Sequence, residues 1–274
     1  MAFDVTVLVD NRTERADLTA QAGLSLLLRS PAGSLLVDTG ASGDVLGHNA
    51  DALKIDLAQV HQAVLTHGHC DHGGGLGALL KRCGSLKLYC GAGAFVARYA
   101  ERPGEPLQRV SMPYSISQLE ALGARIIEVN SRLQLTDQCL ISGPIGGPPW
   151  GGESFAVRSG DELVTDHFID ELFVMARAAA GWVVVVGCCH RGLVNTLRLA
   201  RFLAHNEPIA AIIGGLHLQG ATEKDLQETA AVLVEFDRPA LYLGHCTPSE
   251  SLNYLGEYYG GAVHPLGVGT VISF

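Results

Sequence analysis

The sequence predicts a mixed α/β (α+β) fold, two mixed sheets covered by helices, in a single domain over residues 1–274. Three observations predict it. Strand-length apolar runs alternate with amphipathic stretches of helical length; one apolar run leads straight into a glycine-rich loop dense in histidine; and 47% hydrophobic content over 274 residues can bury a full core.

The first forty residues read as three strands, Val5 to Val9, Leu24 to Arg29 and Leu35 to Asp38, the last stopped by Thr39-Gly40. Their short connections favour antiparallel pairing. A helix is expected over Gly43 to Leu53 and a strand over Ala63 to Thr66, then a helix from Leu76 to Leu80, a strand from Leu86 to Tyr89 and a second helix from Gly93 to Tyr99. The same beat returns later: strand Trp182 to Val186, helix Leu193 to Leu203, strand Ile209 to Ile213, helix Glu223 to Phe236, strand Ala240 to Leu243. Residues 143 to 152 are eight parts glycine or proline in ten, which excludes a helix or strand interior. They predict a loop, and a lid over 143–170 with Trp150 as its aromatic, substrate-touching tip is the functional reading beside a plain surface connection.

Charge narrows the partners. With 19 basic and 28 acidic residues the net charge of −9 repels a phosphate backbone, so neither nucleic acid nor an anionic membrane is expected as a partner. No stretch approaches the roughly 20 apolar residues that span a bilayer, and the first residues lack the basic start of a signal peptide, so a cytoplasmic location is expected. Seven cysteines, none at CxxC spacing, read as reduced thiols rather than a zinc ribbon or an iron–sulfur cluster. The oligomeric state stays open.

Thr66 to Gly75 packs three imidazoles and a carboxylate into six positions. His67 and His69 are two apart, so on extended backbone both side chains point to one side and can grip one cation. Asp71 and His72 follow where the chain turns into a helix and suit a second cation nearby. Glycines at 68 and 73 to 75 let the backbone bend there. His48, His61, His167, His205 and His264 stand alone and read as ordinary surface or core histidines.

The stretch from Leu65 to Leu76 resembles the HxHxDH signature of the metallo-β-lactamase superfamily, and Leu36 to Gly40 resembles its upstream strand ending in DTG. The resemblance implies an αββα sandwich with a dinuclear centre at its edge, held by His67, His69, Asp71 and His72, and a structural Asp38 bracing the ligand loop. A closer resemblance runs from Val7 to Phe274, on Asn49-Ala50, Ile55 to Leu57, Gly187 to His190, Val194-Asn195, Ile213 to Leu218 and Gly244 to Thr247. These look like the subfamily named for dihydropterin–ribofuranosylaminobenzene phosphate synthase, which implies either a hydrolase or a pterin-directed transferase.

Further candidate ligands lie at the ends of later strands. His245 matches the superfamily's last histidine. His190 stands where most members carry a bridging aspartate, and a neutral imidazole cannot bridge two cations as a carboxylate does. Cys188, two residues earlier, faces the same way on extended chain and is an alternative thiolate ligand. The usual middle histidine would fall near Ser142 to Ile145, where there is none, so an asymmetric centre with a weak or missing second ion is expected. His217 reads as a ligand or as a group for substrate binding or proton transfer. Arg191, at a helix start, reads as an anion-binding charge or as a solvent-facing one.

Such a donor set calls for one or two divalent ions per chain, zinc foremost, with manganese or iron as alternatives, and for a small, anionic substrate. The expected chemistry is hydrolysis of a small phosphorylated or cyclic ester by a metal-activated water, with Asp71 and His217 as catalytic groups. The alternatives are the transferase and a non-catalytic metal or ligand sensor.

Overall fold

A computed structural model describes residues 2–102, 104–147 and 154–274. Its two main sheets have seven strands each and both are mixed. In the first, Asp4–Val9, Ser25–Ser30 and Gly33–Val37 pair antiparallel, as their short connections predict. Gln62–Leu65, Leu86–Cys90 and Ala124–Glu128 then add in parallel, and Val271–Ser273 closes the other edge against Asp4–Val9. In the second, Gly181–Val185, Ile209–Gly214, Ala240–Leu243 and Val263–Pro265 run parallel, while Val174–Ala178, Cys139–Ile141 and Leu133–Thr136 extend the sheet antiparallel.

The period-two alternation of a strand divides each sheet between two cores. Val183 and Val185 join Val5, Val7, Val37 and Val64 in the core between the sheets. Their neighbours Trp182, Val184 and Val186 join Leu197, Ala200 and Leu233 beneath the helices Leu193–Leu203 and Glu223–Glu235. The first sheet repeats this: Leu36 and Leu65 pack with Leu46 and Ala50 of helix Gly43–Ala52 and with Leu76 and Leu79 of helix Leu76–Cys83. Helix, sheet, sheet and helix form the four layers of an αββα sandwich. A strand buried on both faces has no polar side to show, which is why Trp182 to Val186 is apolar throughout.

Two expectations need correction. Gly93 to Tyr99 is not a helix: residues 92–95 form turns, Gly93 sits at φ +83°, and Arg98–Glu101 is a strand drawn into a third, four-stranded sheet. Its partner explains the second difference. Within the segment 143–170, expected as a loop, Ser154–Ser159 and Glu162–Thr165 form a hairpin, with Ser159 opposite Glu162 across a two-residue Gly160-Asp161 turn. Trp150 lies outside the described residues. Among the described residues no helix is long and apolar enough to cross a membrane.

The chemistry-bearing loops all leave carboxyl ends of parallel strands. Leu65 leads to His67, Val185 to His190, Gly214 to His217 and Leu243 to His245, which is where open α/β sheets present their ligand sites.

Candidate metal centre

The loop that carries the candidate ligands is braced by its own hydrogen bonds. Asp38, buried at the end of its strand, accepts from the Thr66 backbone N–H through Oδ1 at 2.8 Å and from the Thr66 hydroxyl through Oδ2 at 2.7 Å. Its Oδ2 also lies 2.6 Å from His72 Nδ1, so the other ring nitrogen of His72 is turned inward. Gly68 has no room for a side chain, because a Cβ there would collide with the Ala94 carbonyl and the Arg98 guanidinium. Its N–H donates to Asp170 Oδ2 at 2.8 Å, and the next residue, His69, bridges to Ser111.

Two trios of donor atoms result. His67 Nε2 lies 3.2 Å from His69 Nδ1 and 3.2 Å from His190 Nε2. Beside them, His72 Nε2 lies 3.2 Å from His245 Nε2, and Asp71 Oδ2 is 3.5 Å from His245 Nε2 and 4.0 Å from His72 Nε2. Neighbouring ligands of a tetrahedral zinc bonded at about 2.1 Å stand about 3.4 Å apart, and five of the six separations lie between 3.2 and 4.0 Å, with the sixth, His69 to His190, within 4.8 Å.

The protonation states fit as well. Burial holds His67 and His190 well below the usual histidine range and His69 down at about 3, so each keeps a free lone pair. Burial works against charge on Asp71 too, but the neighbouring His72 and His245 bring it down to about 2 and keep it an anion. At His72 burial is overcome by the carboxylates of Asp38 and Asp71, which raise it to about 9, a measure of how strongly this end of the site attracts positive charge.

Residues 18–169 match the family model of the metallo-β-lactamase superfamily. The chain belongs to that superfamily. It is 24% identical over 269 residues to the 7,8-dihydropterin-6-methyl-4-(β-D-ribofuranosyl)-aminobenzene-5'-phosphate synthase of Methanocaldococcus jannaschii, covering 93% of this chain and 90% of that one. Among solved structures, a metal-dependent hydrolase of the β-lactamase superfamily superposes with a TM-score of 0.84 at 24% identity, over 98% of both chains. Zinc-bound PqqB from Methylobacterium extorquens superposes with a TM-score of 0.57 at 13% identity, over 98% of this chain and 99% of that one.

His190, expected as a ligand, groups with His67 and His69, so where no histidine stands near Ser142 to Ile145 a third imidazole reaches this trio from another loop, and each trio has three candidate donors. His217 packs against His190 with ring centroids 4.3 Å apart, and its backbone N–H donates to Cys246 Sγ at 3.2 Å. Arg191 does not present a free guanidinium. Its Nε donates to the Ile145 carbonyl at 3.0 Å and its Nη1 to the His167 carbonyl, stapling two loops. The anion at this helix start is internal: Glu171 accepts the backbone N–H groups of His190 and Arg191 at 2.7 and 2.6 Å, and burial, outweighing those two bonds, lifts its carboxyl to about 7.

Several supporting residues escape sequence reasoning. Asp10 Oδ2 takes the His245 backbone N–H at 2.9 Å, and Asn11 Oδ1 lies 3.0 Å from His245 Nδ1, which orients that ring. Phe168 stacks on His190 at 4.0 Å, and Phe155, carried in by the hairpin, packs against His69 at 5.0 Å, making an aromatic wall beside the first trio. Asp38, Phe168, Cys189, His217 and His245 all adopt left-handed backbone with φ between 47° and 64°. Each such residue costs roughly 1 kcal/mol or more, and their clustering here marks where the fold spends stability on geometry.

Asp38→Asn puts an amide donor against two donors, the Thr66 hydroxyl and the His72 ring. The expected result is a loss of about 1–3 kcal/mol in denaturant unfolding. Metal titration should show the ion at Asp71, His72 and His245 binding about 10–100-fold more weakly.

Proposed function

We propose that the chain is a metal-dependent hydrolase of a small phosphorylated or cyclic ester. The observation that carries this reading is the pair of donor trios, three imidazoles beside two imidazoles and a carboxylate, at the mouth of the αββα sandwich. Divalent cations bound there supply Lewis acidity and lower the pKa of a coordinated water toward about 7. Imidazole nitrogens with one carboxylate suit zinc, manganese or iron better than magnesium, and the likeness to a zinc-bound protein favours zinc.

The chain's own groups divide the remaining work. Asp71, with 32% of its side chain exposed, is the donor within reach of an entering substrate, and its Oδ2 can orient a water and take its proton. His217, next to His190, is the candidate for returning a proton to the leaving group. A protein of net charge −9 offers little attraction to an anion elsewhere, so a small anionic substrate is drawn by the ions themselves. Arg191 has no part in this, since its guanidinium holds carbonyls.

Purified protein loaded with zinc or manganese should turn over at least one member of a panel of phosphomonoesters, linear and cyclic phosphodiesters, diphosphates and lactones. Chelator should abolish that turnover and added metal restore it. Fully loaded protein that turns over none of them would end the hydrolase reading, and fewer than one ion per chain would favour the sensor.

A second reading, the pterin-directed transferase, is favoured by the synthase likeness over 93% of the chain and by the aromatic wall of Phe155 and Phe168, which suits a flat ring. Incubation with a dihydropterin pyrophosphate and the aminobenzene ribofuranosyl phosphate tests it. Coupled product with release of pyrophosphate supports the transferase; unchanged reactants dismiss it.

A further inference from the structure

The geometry points to Cys188 as a thiolate ligand shared by the two ions, bridging the trios. The inference builds on the metal-centre reading and names a donor that reading does not use.

Cys188 belongs to neither trio, yet its sulfur lies within 4.8 Å of donors in both. It groups with His67 and His72, with His190 and His217, and with His245 and Cys246. Its shortest contact is 3.1 Å to His72 Nε2, and the residue is 3% exposed. The loop after Gly181–Val185 places it there. Cys188 Sγ meets His72 Nε2 and His190 Nε2 meets His67 Nε2, while the left-handed backbone at Cys189 between them turns its sulfur to the Thr196 hydroxyl 3.3 Å away.

Charge balance asks for such a group. Two divalent cations would face one carboxylate, Asp71, and otherwise neutral imidazoles, in a site where Asp38 can act only through the ring of His72. Buried positive charge on that scale needs a second anion among its ligands. A thiol becomes a thiolate when cations bind it: the S–H bond breaks, two S–metal bonds form, and the proton leaves to solvent. Cys246 is a poorer candidate, because it groups with His245 and Cys188 alone and accepts the His217 N–H. A sulfur bridge would bias the centre toward zinc or iron and away from magnesium.

The test uses cobalt as a spectroscopic substitute, with metal counted by elemental analysis in the same sample. Protein holding two cobalt ions per chain should show a near-ultraviolet sulfur-to-cobalt charge-transfer band that vanishes in Cys188→Ser and survives in Cys246→Ser. X-ray absorption at the zinc edge of the wild-type protein needs no variant to fold: a bridge gives each zinc one sulfur neighbour at about 2.3 Å, and a terminal thiolate gives half that average. Two bound ions with no sulfur neighbour, with the half count, or with a band that follows Cys246 would overturn the bridge and leave the metal centre standing. Fewer than one ion per chain would overturn both.

Discussion

His69→Ala is expected to lower metal-dependent turnover on the order of 10³-fold while leaving the fold intact. The argument rests on the asymmetry between what this side chain does for the ion and what it does for the core. Its Nδ1 is one of three donors in the trio with His67 and His190, and two imidazoles on one cation leave a far weaker site. Its ring is a neutral one, packed against Phe155, Phe168 and His190. Truncation strands no charge, so the stability cost is that of a cavity, about 2–3 kcal/mol at most. Steady-state rates at saturating zinc, a metal count and a thermal melt check the three parts. Undiminished turnover with a full metal complement would remove the trio from the mechanism.

How much of this was legible in the sequence depends on whether the signal is local. Apolar alternation located the strand before His67 and the buried strand before His190, because a strand covered on both faces must be apolar throughout. The spacing of His67, His69, Asp71 and His72 marked them as candidate ligands, because one short loop carries them. His190 was legible as a candidate ligand but not as the third imidazole beside His67 and His69, since nothing local tells which ring it will meet 123 residues away. Asp10 and Asn11 lie more than 230 residues from the histidine they orient, and Glu171 looks like any surface acid until its two N–H donors are seen. Arg191 misled for a related reason: an arginine at a helix start suggests a bound anion, and only the tertiary fold shows the carbonyls that occupy it. The third sheet was missed because Arg98–Glu101 is a strand only through its pairing with Ser154–Ser159. On its own, Gly93 to Tyr99 has helical length and spacing.

Arg98→Met should be the most damaging single change outside the ligands, about 3–5 kcal/mol. Arg98 is 1% exposed, and its guanidinium meets two buried carboxylates, Nε to Asp166 Oδ2 at 2.6 Å and Nη2 to Asp170 Oδ1 at 2.5 Å. Methionine fills the volume but leaves both acids without a cation. Arg98→Lys should recover part of the loss only, because an ammonium cannot fork between two partners. The damage should reach the metal centre, since the second oxygen of Asp170 holds the N–H of Gly68, the peptide between His67 and His69. Zinc affinity at that trio is expected to drop about 10–100-fold. The loss should also depend on pH with a definite sign. Burial already raises the Asp170 pKa, with Arg98 opposing it, so removing the arginine raises it further. A carboxyl whose pKa is higher folded than unfolded adds stability below its ordinary value of about 3.9 and forfeits it as pH rises through the folded value. The gap in melting temperature between wild type and Arg98→Met should therefore be smaller at about pH 5 than at about pH 7.5. A gap that is the same at both pH values, or that narrows as pH rises, would mean that the two acids are not the groups Arg98 restrains.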